Sequence, residues 1–349
     1  MLNQFKKFLF LLPQRLVQSL SALLVASSWL GLAIYGCAPS NSANTNTAQN
    51  VSNQTQEKTS LIRLGYQKGG VVPIARQRGE LEKRLAAQNI KAEWAGPFDR
   101  CATLLQAISA NQADIGGCGD IPGLSAIAAG QELCIGAVQR PRPESLSSAI
   151  VVRGDSPIRK PADLVGKKVA VNQAGAGKYL LLKVLEKENI SKEKVQRVFL
   201  APNDAAPALY QGTVDAWAVW EPYISIAELE HGARRITTTH PAPTYSVMLV
   251  RNQAAAKSPE VVKAAFRGLS EEYDWLNANT AKSAEFLVKD IKISPAVAKR
   301  VTENQGPQLL ATPNADDVAK LQKTADWMLE QKILPKRVDV AATICPTAK

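Results

Sequence analysis

A glycine-rich segment between two apolar runs, Ala113–Gly123, constrains the fold of this chain more than any other feature. The apolar residues that enter the segment predict a strand, and its glycines predict a tight turn. Asp120 then stands where a helix N-cap belongs, and Pro122 falls just inside the helix, where a residue without an N–H is favoured. Because the free N–H groups and the dipole of a helix start both attract anions, we expect this turn to form one wall of a ligand cleft.

Strand and helix patterns alternate, with short connections, from residue 61 to residue 251. One such unit has a strand at Lys167–Val171, a glycine-containing turn at Asn172–Lys178 and a helix at Tyr179–Asn189. This alternation predicts parallel α/β sheets, in which ligands bind at the carboxyl ends of the strands. We expect two α/β lobes, the second inserted into the first through crossover strands and hinges at Ser148–Val152 and Val247–Arg251. Lobe 1 is predicted to comprise residues 61–150 and 247–349, and lobe 2 residues 151–246, with a helical C-terminal region from Ser258.

The N-terminal segment has the pattern of an export signal. Basic residues precede an uncharged apolar run at Leu20–Gly36, which is typical of a secretory signal peptide. The run ends in Ile34-Tyr35-Gly36-Cys37, which resembles the lipobox of bacterial lipoproteins. We therefore predict a signal peptide at 1–36, a lipidated Cys37 and a disordered tether within 37–60, rich in Asn, Ser, Thr and Gln. The expected location is the periplasm or cell surface, anchored to a membrane; an uncleaved anchor or an ordinary signal peptide is the alternative.

Charge and cysteine content narrow the class of ligand. The formal net charge is +11, and removal of the leader with its three basic residues leaves +8. No stripe of basic residues interleaved with aromatic ones is present, so a field that steers small anions explains this charge better than nucleic acid does; a generally basic surface is the alternative. The chain has two histidines and no C-x-x-C pair, so neither a metal site nor a cofactor is expected. The four cysteines after Cys37 could form two disulfides in three pairings.

Four segments resemble the aliphatic-sulfonate-binding proteins of bacterial ABC importers, in the family's order across residues 61–334. They are Leu64–Gly70, Ile115–Asp120, Leu164–Ala170 and Val214–Tyr223. The resemblance implies a type II periplasmic-binding-protein fold whose cleft closes on the ligand, in a superfamily that also takes taurine, nitrate and bicarbonate. The chain departs from that family at Cys118, where relatives often carry a hydroxyl residue. It departs again in the turn at 172–178, where backbone N–H groups would replace a side-chain donor.

The predicted substrate-binding residues are those expected at the cleft ends of these segments. They are Gln67, Lys68, Gly69, Gly119, Asp120, Arg140, Ser148, Asn172, Gly175, Ala176, Gly177, Trp220 and Glu221. A carboxylate repels an anion, so Asp120 is expected to order the helix start rather than to touch the ligand. Trp220 is a candidate for contact with an organic tail, whereas Trp217 is expected in the core. Glu221 could bind an ammonium group or be a surface acid at a helix start.

The remaining predictions concern charge, disulfides and activity. Arg100, Arg140 and Arg142 could each hold an oxyanion by a bidentate pair, and Arg140 is favoured. Cys101 and Cys118 would both lie near the cleft, so we expect them to form a disulfide. The predicted function is a monomeric, lipid-anchored solute-binding protein that delivers a small organic anion, a sulfonate, to an ABC permease and its ATPase. The first alternative is a binding protein for taurine, nitrate, bicarbonate or another small anion. The others are an enzyme of the same fold, such as the pyrimidine-forming enzymes of thiamine synthesis, and a ligand-free adhesive lipoprotein; no catalytic residues are predicted.

Overall fold

A computed structural model describes residues 59–68, 70–140, 145–173, 175–237 and 244–348. Residues Gln56–Lys349 form one compact unit. The predicted signal peptide, Cys37, all of the tether before residue 59, and Gly69 and Arg142 lie outside the described residues. Within the described ranges, none of the helices combines the length and apolar character needed to cross a membrane.

The first sheet has six strands, in the order β11-β4-β10-β3-β1-β2. They are β1 (Ser60–Gln67), β2 (Ile90–Phe98), β3 (Ile115–Gly119), β4 (Leu133–Gln139), β10 (Ser246–Arg251) and β11 (Leu310–Ala311). Strand β1 is parallel to both β2 and β3, whereas β10 is antiparallel to β3 and β4. The sheet therefore combines parallel strands from the start of the chain with one strand that returns after the second sheet is complete.

The second sheet has five strands, in the order β7-β6-β8-β5-β9. They are β5 (Ser148–Val152), β6 (Lys168–Val171), β7 (Gln196–Phe199), β8 (Ala216–Trp220) and β9 (Arg234–Arg235). Strand β6 is parallel to β7 and β8, and β5 is antiparallel to β8 and β9. Because β5 pairs with second-sheet strands along its length, a lobe boundary between residues 150 and 151 would divide it. We place the boundary before Ser148 and use lobe 1 and lobe 2 for the units built on the two sheets.

The helices follow the predicted alternation. Those preceding the second sheet are α1 (Val71–Arg78), α2 (Glu80–Ala86), α3 (Cys101–Ser109) and α4 (Asp120–Ala128). Those of lobe 2 are α5 (Ala176–Lys187), α6 (Pro202–Tyr210) and α7 (Tyr223–His231). The C-terminal helices are α8 (Asn252–Lys257), α9 (Pro259–Ala278), α10 (Thr280–Ile291), α11 (Pro295–Gln305), α12 (Ala315–Glu330) and α13 (Val340–Thr343).

The periodicity of residues 71–87 predicts one helix, but the structure contains two. Gly79 has φ 70° and ψ 5°, a left-handed conformation that ends α1 and precedes α2. Glycine adopts this conformation without the steric cost that a Cβ would bring. After this break α2 packs against α9, so the left-handed conformation of Gly79 affects how the C-terminal region packs on lobe 1.

Each sheet buries apolar residues on both faces. In lobe 1, one core cluster includes Leu64, Leu81 and Val262, and the other includes Leu105, Leu124 and Leu321. Lobe 2 has two further clusters on the faces of its own sheet. A disulfide between Cys134 and Cys345 joins β4 to the last residues of the chain, where the backbone N–H of Cys345 donates to the carbonyl of Ile135 at 2.9 Å. The C-terminal helices are thereby fixed to the lobe 1 sheet.

Candidate ligand-binding site

A cavity of about 720 Å³ lies between the lobes, where the parallel strands of both sheets end. Lobe 1 contributes the last residues of β1 and β3, Gln67 and Gly119, and lobe 2 contributes Asn172 and Trp220 from the ends of β6 and β8. The chain crosses between the sheets twice, between β4 and β5 and between β9 and β10. The cavity therefore occupies the position in which open α/β sheets bind ligands.

Six helix N-termini line this cavity. In α4 and α7, first-turn N–H groups donate to the carboxylates of Asp120 and Glu221. The other four starts belong to α1, α3, α5 and α6. The residues at their N-cap positions are Gly70, Arg100, Gly175 and Ala201, and none of them makes a side-chain capping hydrogen bond. Away from the cavity, side chains cap the starts of α11, α12 and α13, whereas α2, α8, α9 and α10 begin without a side-chain cap. An uncapped helix start leaves backbone N–H groups without intrahelical partners and adds the positive end of the dipole. The arrangement is suited to an anion with several acceptor oxygens.

The start of α4 differs from the sequence prediction. Asp120 is the first residue of α4 rather than its N-cap, and it is buried and does not line the cavity. Its Oδ1 accepts from the N–H of Ile121 at 2.8 Å, and its Oδ2 accepts from the N–H of Tyr245 at 3.0 Å. The N–H of Asp120 itself donates to the carbonyl of Tyr245 at 3.0 Å. The first donors of α4 are thus used within the protein, and Asp120 ties the helix to the entry of β10.

Burial raises the pKa of Asp120 from 3.8 to about 7, although the two backbone N–H groups act in the opposite direction. Desolvation of a carboxylate in a protein interior outweighs a small number of neutral hydrogen bonds. Asp120 is therefore a positioning residue whose charge state affects the stability of the protein.

The lobe 2 turn places backbone donors at the cavity. Asn172 Oδ1 accepts from the N–H of Gly177 at 3.2 Å, which orders the turn before α5. A Cβ on Gly175 would lie 1.8 Å from Asn172 Nδ2, and one on Gly177 would lie 2.3 Å from the carbonyl oxygen of Ala218. Gly175 and Ala176 line the cavity, whereas Gly177 packs behind it. The side chain of Asn172 therefore shapes this turn.

The basic residues of the cavity are not equivalent. Arg140 lines it, but its Nε and Nη2 form a fork with Asp317, each at 2.8 Å from one carboxylate oxygen. The hydrogen bond to Asp317 raises the pKa of Arg140. The Nε and Nη2 of Arg140 are thus engaged in holding α12 against the end of β4, and a role for Arg140 in ligand binding stays a prediction. Lys68 and Arg100 also line the cavity, and Arg100 Nη1 lies 3.8 Å from Asp99 Oδ2.

Glu221 lies at the junction of the lobes and is neither a surface acid nor an open ammonium site. It is 6% exposed, and its Oε1 accepts from Asn304 Nδ2 at 2.6 Å and from Ser225 Oγ at 3.0 Å. Its Oε2 accepts from the N–H of Ser225 at 3.2 Å, and Arg235 Nη2 approaches Oε1 at 3.5 Å. Burial raises the pKa of Glu221. Because Ser225 belongs to α7 and Asn304 to α11, this carboxylate joins lobe 2 to the C-terminal region of lobe 1.

The other predicted residues lie as follows. Gln67 lines the cavity, and its Nε2 donates to the carbonyl of Gly117 at 2.8 Å, which orients the amide. Ser148 and Trp220, paired across β5 and β8, also line it, with the Trp220 ring edge-on to Tyr223. Trp217 is 2% exposed, in the core.

A disulfide joins Cys101 to Cys118, and both residues line the cavity. Their Cα atoms are 5.6 Å apart, so the start of α3 is fixed to the end of β3. Cys118 thus contributes a covalent link in the cavity wall.

The C-terminal helices supply part of the wall that sequence reasoning missed. The helices contribute Tyr273, Leu287, Ile291, Val301 and Gln305. The neighbouring β4, the loop after α11 and β11 contribute Gln139, Gln308 and Leu310. The helical periodicity of this region predicts that apolar residues face inward, but it does not distinguish those that face a core from those that face a cleft. Only the packing of the C-terminal region on lobe 1 reveals this surface.

Comparison with known proteins agrees with this architecture. The NMT1/THI5-like family model matches residues 86–283. A relative from Escherichia coli (strain K12), named for aliphatic-sulfonate binding, is 33% identical over 285 residues, covering 81% of this chain and 88% of that protein. The chain belongs to the aliphatic-sulfonate-binding protein family.

Solved structures place this family member among periplasmic binding proteins. The alkanesulfonate-binding protein SsuA from Xanthomonas axonopodis pv. citri, bound to MOPS, has 31% identity and a TM-score of 0.74, covering 82% of this chain and 98% of that one. The desulfurization enzyme DSZB has 17% identity and a TM-score of 0.60, covering 83% and 97%, and shares the fold alone. The α/β prediction of a type II periplasmic-binding-protein fold is thus confirmed.

Proposed function

We propose that this chain is an extracytoplasmic receptor that captures an organic sulfonate between its lobes and delivers it to an ABC permease and its ATPase. The observation that carries this proposal is the set of four uncapped helix starts, at Gly70, Arg100, Gly175 and Ala201, around one interlobe cavity. A sulfonate is a permanent monoanion with three acceptor oxygens, so several fixed N–H donors can bind it without proton transfer. The family relatives named for sulfonate binding support the same ligand class.

The size of the cavity favours an organic ligand over nitrate, bicarbonate or sulfate. At about 720 Å³ it falls in the range of roughly 300–1,000 Å³ that is usual for sites of drug-sized molecules. A small inorganic anion would leave most of this volume to water, because a water molecule occupies only about 30 Å³ of the liquid.

The disulfide-bonded cysteines that line the cavity support binding without catalysis. Cys101 and Cys118 are joined as a disulfide, so neither offers a thiolate nucleophile to a bound molecule. The acid that lines the cavity, Glu221, has both oxygens engaged by Asn304 and Ser225. These contacts favour a receptor over an enzyme of the same fold.

The location follows from the sequence. We propose that residues 1–36 are removed as a signal peptide, that Cys37 is lipidated, and that the segment up to residue 60 tethers a monomeric body to the membrane. The body would then meet its ligand outside the cytoplasm and present it to the permease.

Thermal unfolding of the mature chain tests this function against its alternatives. Ethane- and hexanesulfonate, taurine, sulfate, nitrate and bicarbonate are compared at equal concentrations. A ligand at 100 times its Kd adds about 2.7 kcal/mol of stability, so a sulfonate should raise Tm clearly. A shift with nitrate or bicarbonate, but with no sulfonate, would overturn the ligand assignment. No shift with any anion would favour a ligand-free lipoprotein.

A further inference from the structure

The wall of the cavity contains a covalent bond that faces the ligand space. Cys101 and Cys118 form a disulfide, and both residues line the cavity. Cys101 is half-buried, whereas Cys118 is only 3% exposed. A dissolved thiolate opens a disulfide by direct attack on one of its sulfur atoms, so access decides which atom reacts. Cys101 Sγ is therefore the accessible target of this pair.

The disulfide between Cys134 and Cys345 is shielded by comparison. Cys134 is 6% exposed and Cys345 is fully buried, and both belong to a core cluster of lobe 1. Neither residue lines the cavity. A small thiol reaches this bond only when lobe 1 opens, so the chain contains its own control for the cavity disulfide.

The surroundings of Cys101 attract anions. Cys101 is the first residue of α3, whose N-cap, Arg100, makes no side-chain capping hydrogen bond. The Arg100 side chain is 48% exposed and lines the cavity, with its Nη1 at 3.8 Å from Asp99 Oδ2. Among the described lining residues the single acid is Glu221, whose oxygens already accept hydrogen bonds. An anion that enters the cavity therefore meets a helix start and a guanidinium beside the accessible sulfur.

We infer that the Cys101–Cys118 disulfide is a site of reversible exchange with small anionic thiols, which carry a sulfonate or a carboxylate beside the thiol. The α3 start and Arg100 hold the negative group while the thiolate attacks Cys101 Sγ. The inference rests on the anion-binding part of the proposed function and adds a covalent modification that ligand capture does not require.

The exchange needs no added oxidant or reductant. The small thiolate forms a new S–S bond with Cys101 Sγ, and the electron pair of the broken bond leaves on Cys118 Sγ, which takes a proton from water. In the reverse step, the Cys118 thiolate attacks Cys101 Sγ and expels the small thiol. One disulfide is thus exchanged for another.

Two thiols that differ in one group test the inference. Cys37→Ser leaves four of the five cysteines, all of them disulfide-bonded. This chain is incubated with excess 2-mercaptoethanesulfonate or 2-mercaptoethanol at equal thiolate concentrations, and acid-quenched samples are mapped by non-reducing mass spectrometry. We expect the anionic thiol to open the cavity disulfide about tenfold or more faster, with the first adduct on Cys101. The Cys134–Cys345 bond should stay intact with both thiols.

A charge variant locates the effect. Arg100→Gln should lower the ratio of the two opening rates about threefold or more, because it removes the positive charge beside the accessible sulfur. Arg337→Gln is the matched control, since Arg337 also lies 3.8 Å from an aspartate, Asp326, but is exposed and outside the cavity. It should leave the ratio unchanged. A general loss of stability affects both rates and so cancels from the ratio.

The outcomes separate this site from the proposed function. Equal rates with the two thiols, a first adduct on any cysteine other than Cys101, or a cavity disulfide that resists both thiols would overturn the exchange site and leave the sulfonate function intact. If the anionic thiol reacts faster but no sulfonate raises Tm, the exchange site stands and the proposed function fails. A rate ratio unchanged in Arg100→Gln would overturn the assignment of the anion to the α3 start.

Discussion

Replacing Ala176 with proline removes one hydrogen-bond donor from the cavity wall. Ala176 is the first residue of α5, and its backbone N–H has no hydrogen-bond partner among the described residues. Proline is favoured at this helix position, where its missing N–H costs the helix nothing. Gly175 before it is extended, with φ −174° and ψ −173°, and so lies outside the α region that a following proline disfavours. The substitution therefore tests a single donor with little disturbance of the fold.

The expected loss of affinity follows from the free energy that one such hydrogen-bond donor contributes to binding. A hydrogen bond to a charged group contributes about 1.5–3 kcal/mol, so Ala176→Pro should weaken the Kd for hexanesulfonate by about 10- to 150-fold. Ala315→Pro is the matched control, since Ala315 is the exposed first residue of α12, follows the extended Asn314, and does not line the cavity. It should leave the Kd unchanged.

Titration calorimetry measures the affinity of both variants, and urea unfolding checks that each is folded. A folded Ala176→Pro protein that binds hexanesulfonate within twofold of wild type would refute the assignment of the α5 start to the anion. Equal weakening in Ala315→Pro would show that the loss comes from proline itself rather than from the missing donor.

Three further predictions concern stability and location. Because burial raises the folded-state pKa of Asp120 to about 7, the folded chain retains a proton that the unfolded chain loses near pH 4. The free energy of unfolding should therefore fall by up to about 4 kcal/mol as pH rises from 4 to 7. Urea unfolding at several pH values measures this pH dependence, which should be weaker in Asp120→Asn. An unchanged pH dependence in that variant would contradict the prediction. Asn304→Ala removes the 2.6 Å bond to Glu221 and should cost about 1–3 kcal/mol in the same assay, whereas a loss below about 0.5 kcal/mol would argue against this tie between the lobes. Cys37→Ser should move the protein from the membrane fraction to the soluble fraction, and continued membrane association would argue against lipidation.

The sheet architecture could be predicted because its signals are local. The alternation predicted from residue 61 begins with β1 at Ser60–Gln67, and the helical region predicted from Ser258 begins with α9 at Pro259–Ala278. Alternating apolar residues and glycine turns report directly on such elements. The division of the predicted helix at 71–87 by Gly79 shows the limit, since a glycine within a periodic pattern permits either continuation or a left-handed end.

The roles of the charged residues could not be predicted, because each depends on a distant partner. Asp120 and Tyr245 are separated by 125 positions, and Arg140 and Asp317 by 177. No local pattern indicates that these side chains are already engaged within the protein. The cavity wall that includes Leu287 and Val301 was missed for the same reason, since it forms only when the C-terminal helices pack against α1.

A crystal structure of the mature chain with hexanesulfonate would show whether helix-start N–H groups hold the sulfonate. We expect the sulfur atom within the interlobe cavity, with sulfonate oxygens at about 2.7–3.2 Å from the backbone N of Ala176 and of at least one lobe 1 helix start. A sulfonate bound outside the cavity, or held by side chains with no helix-start N–H in contact, would contradict it.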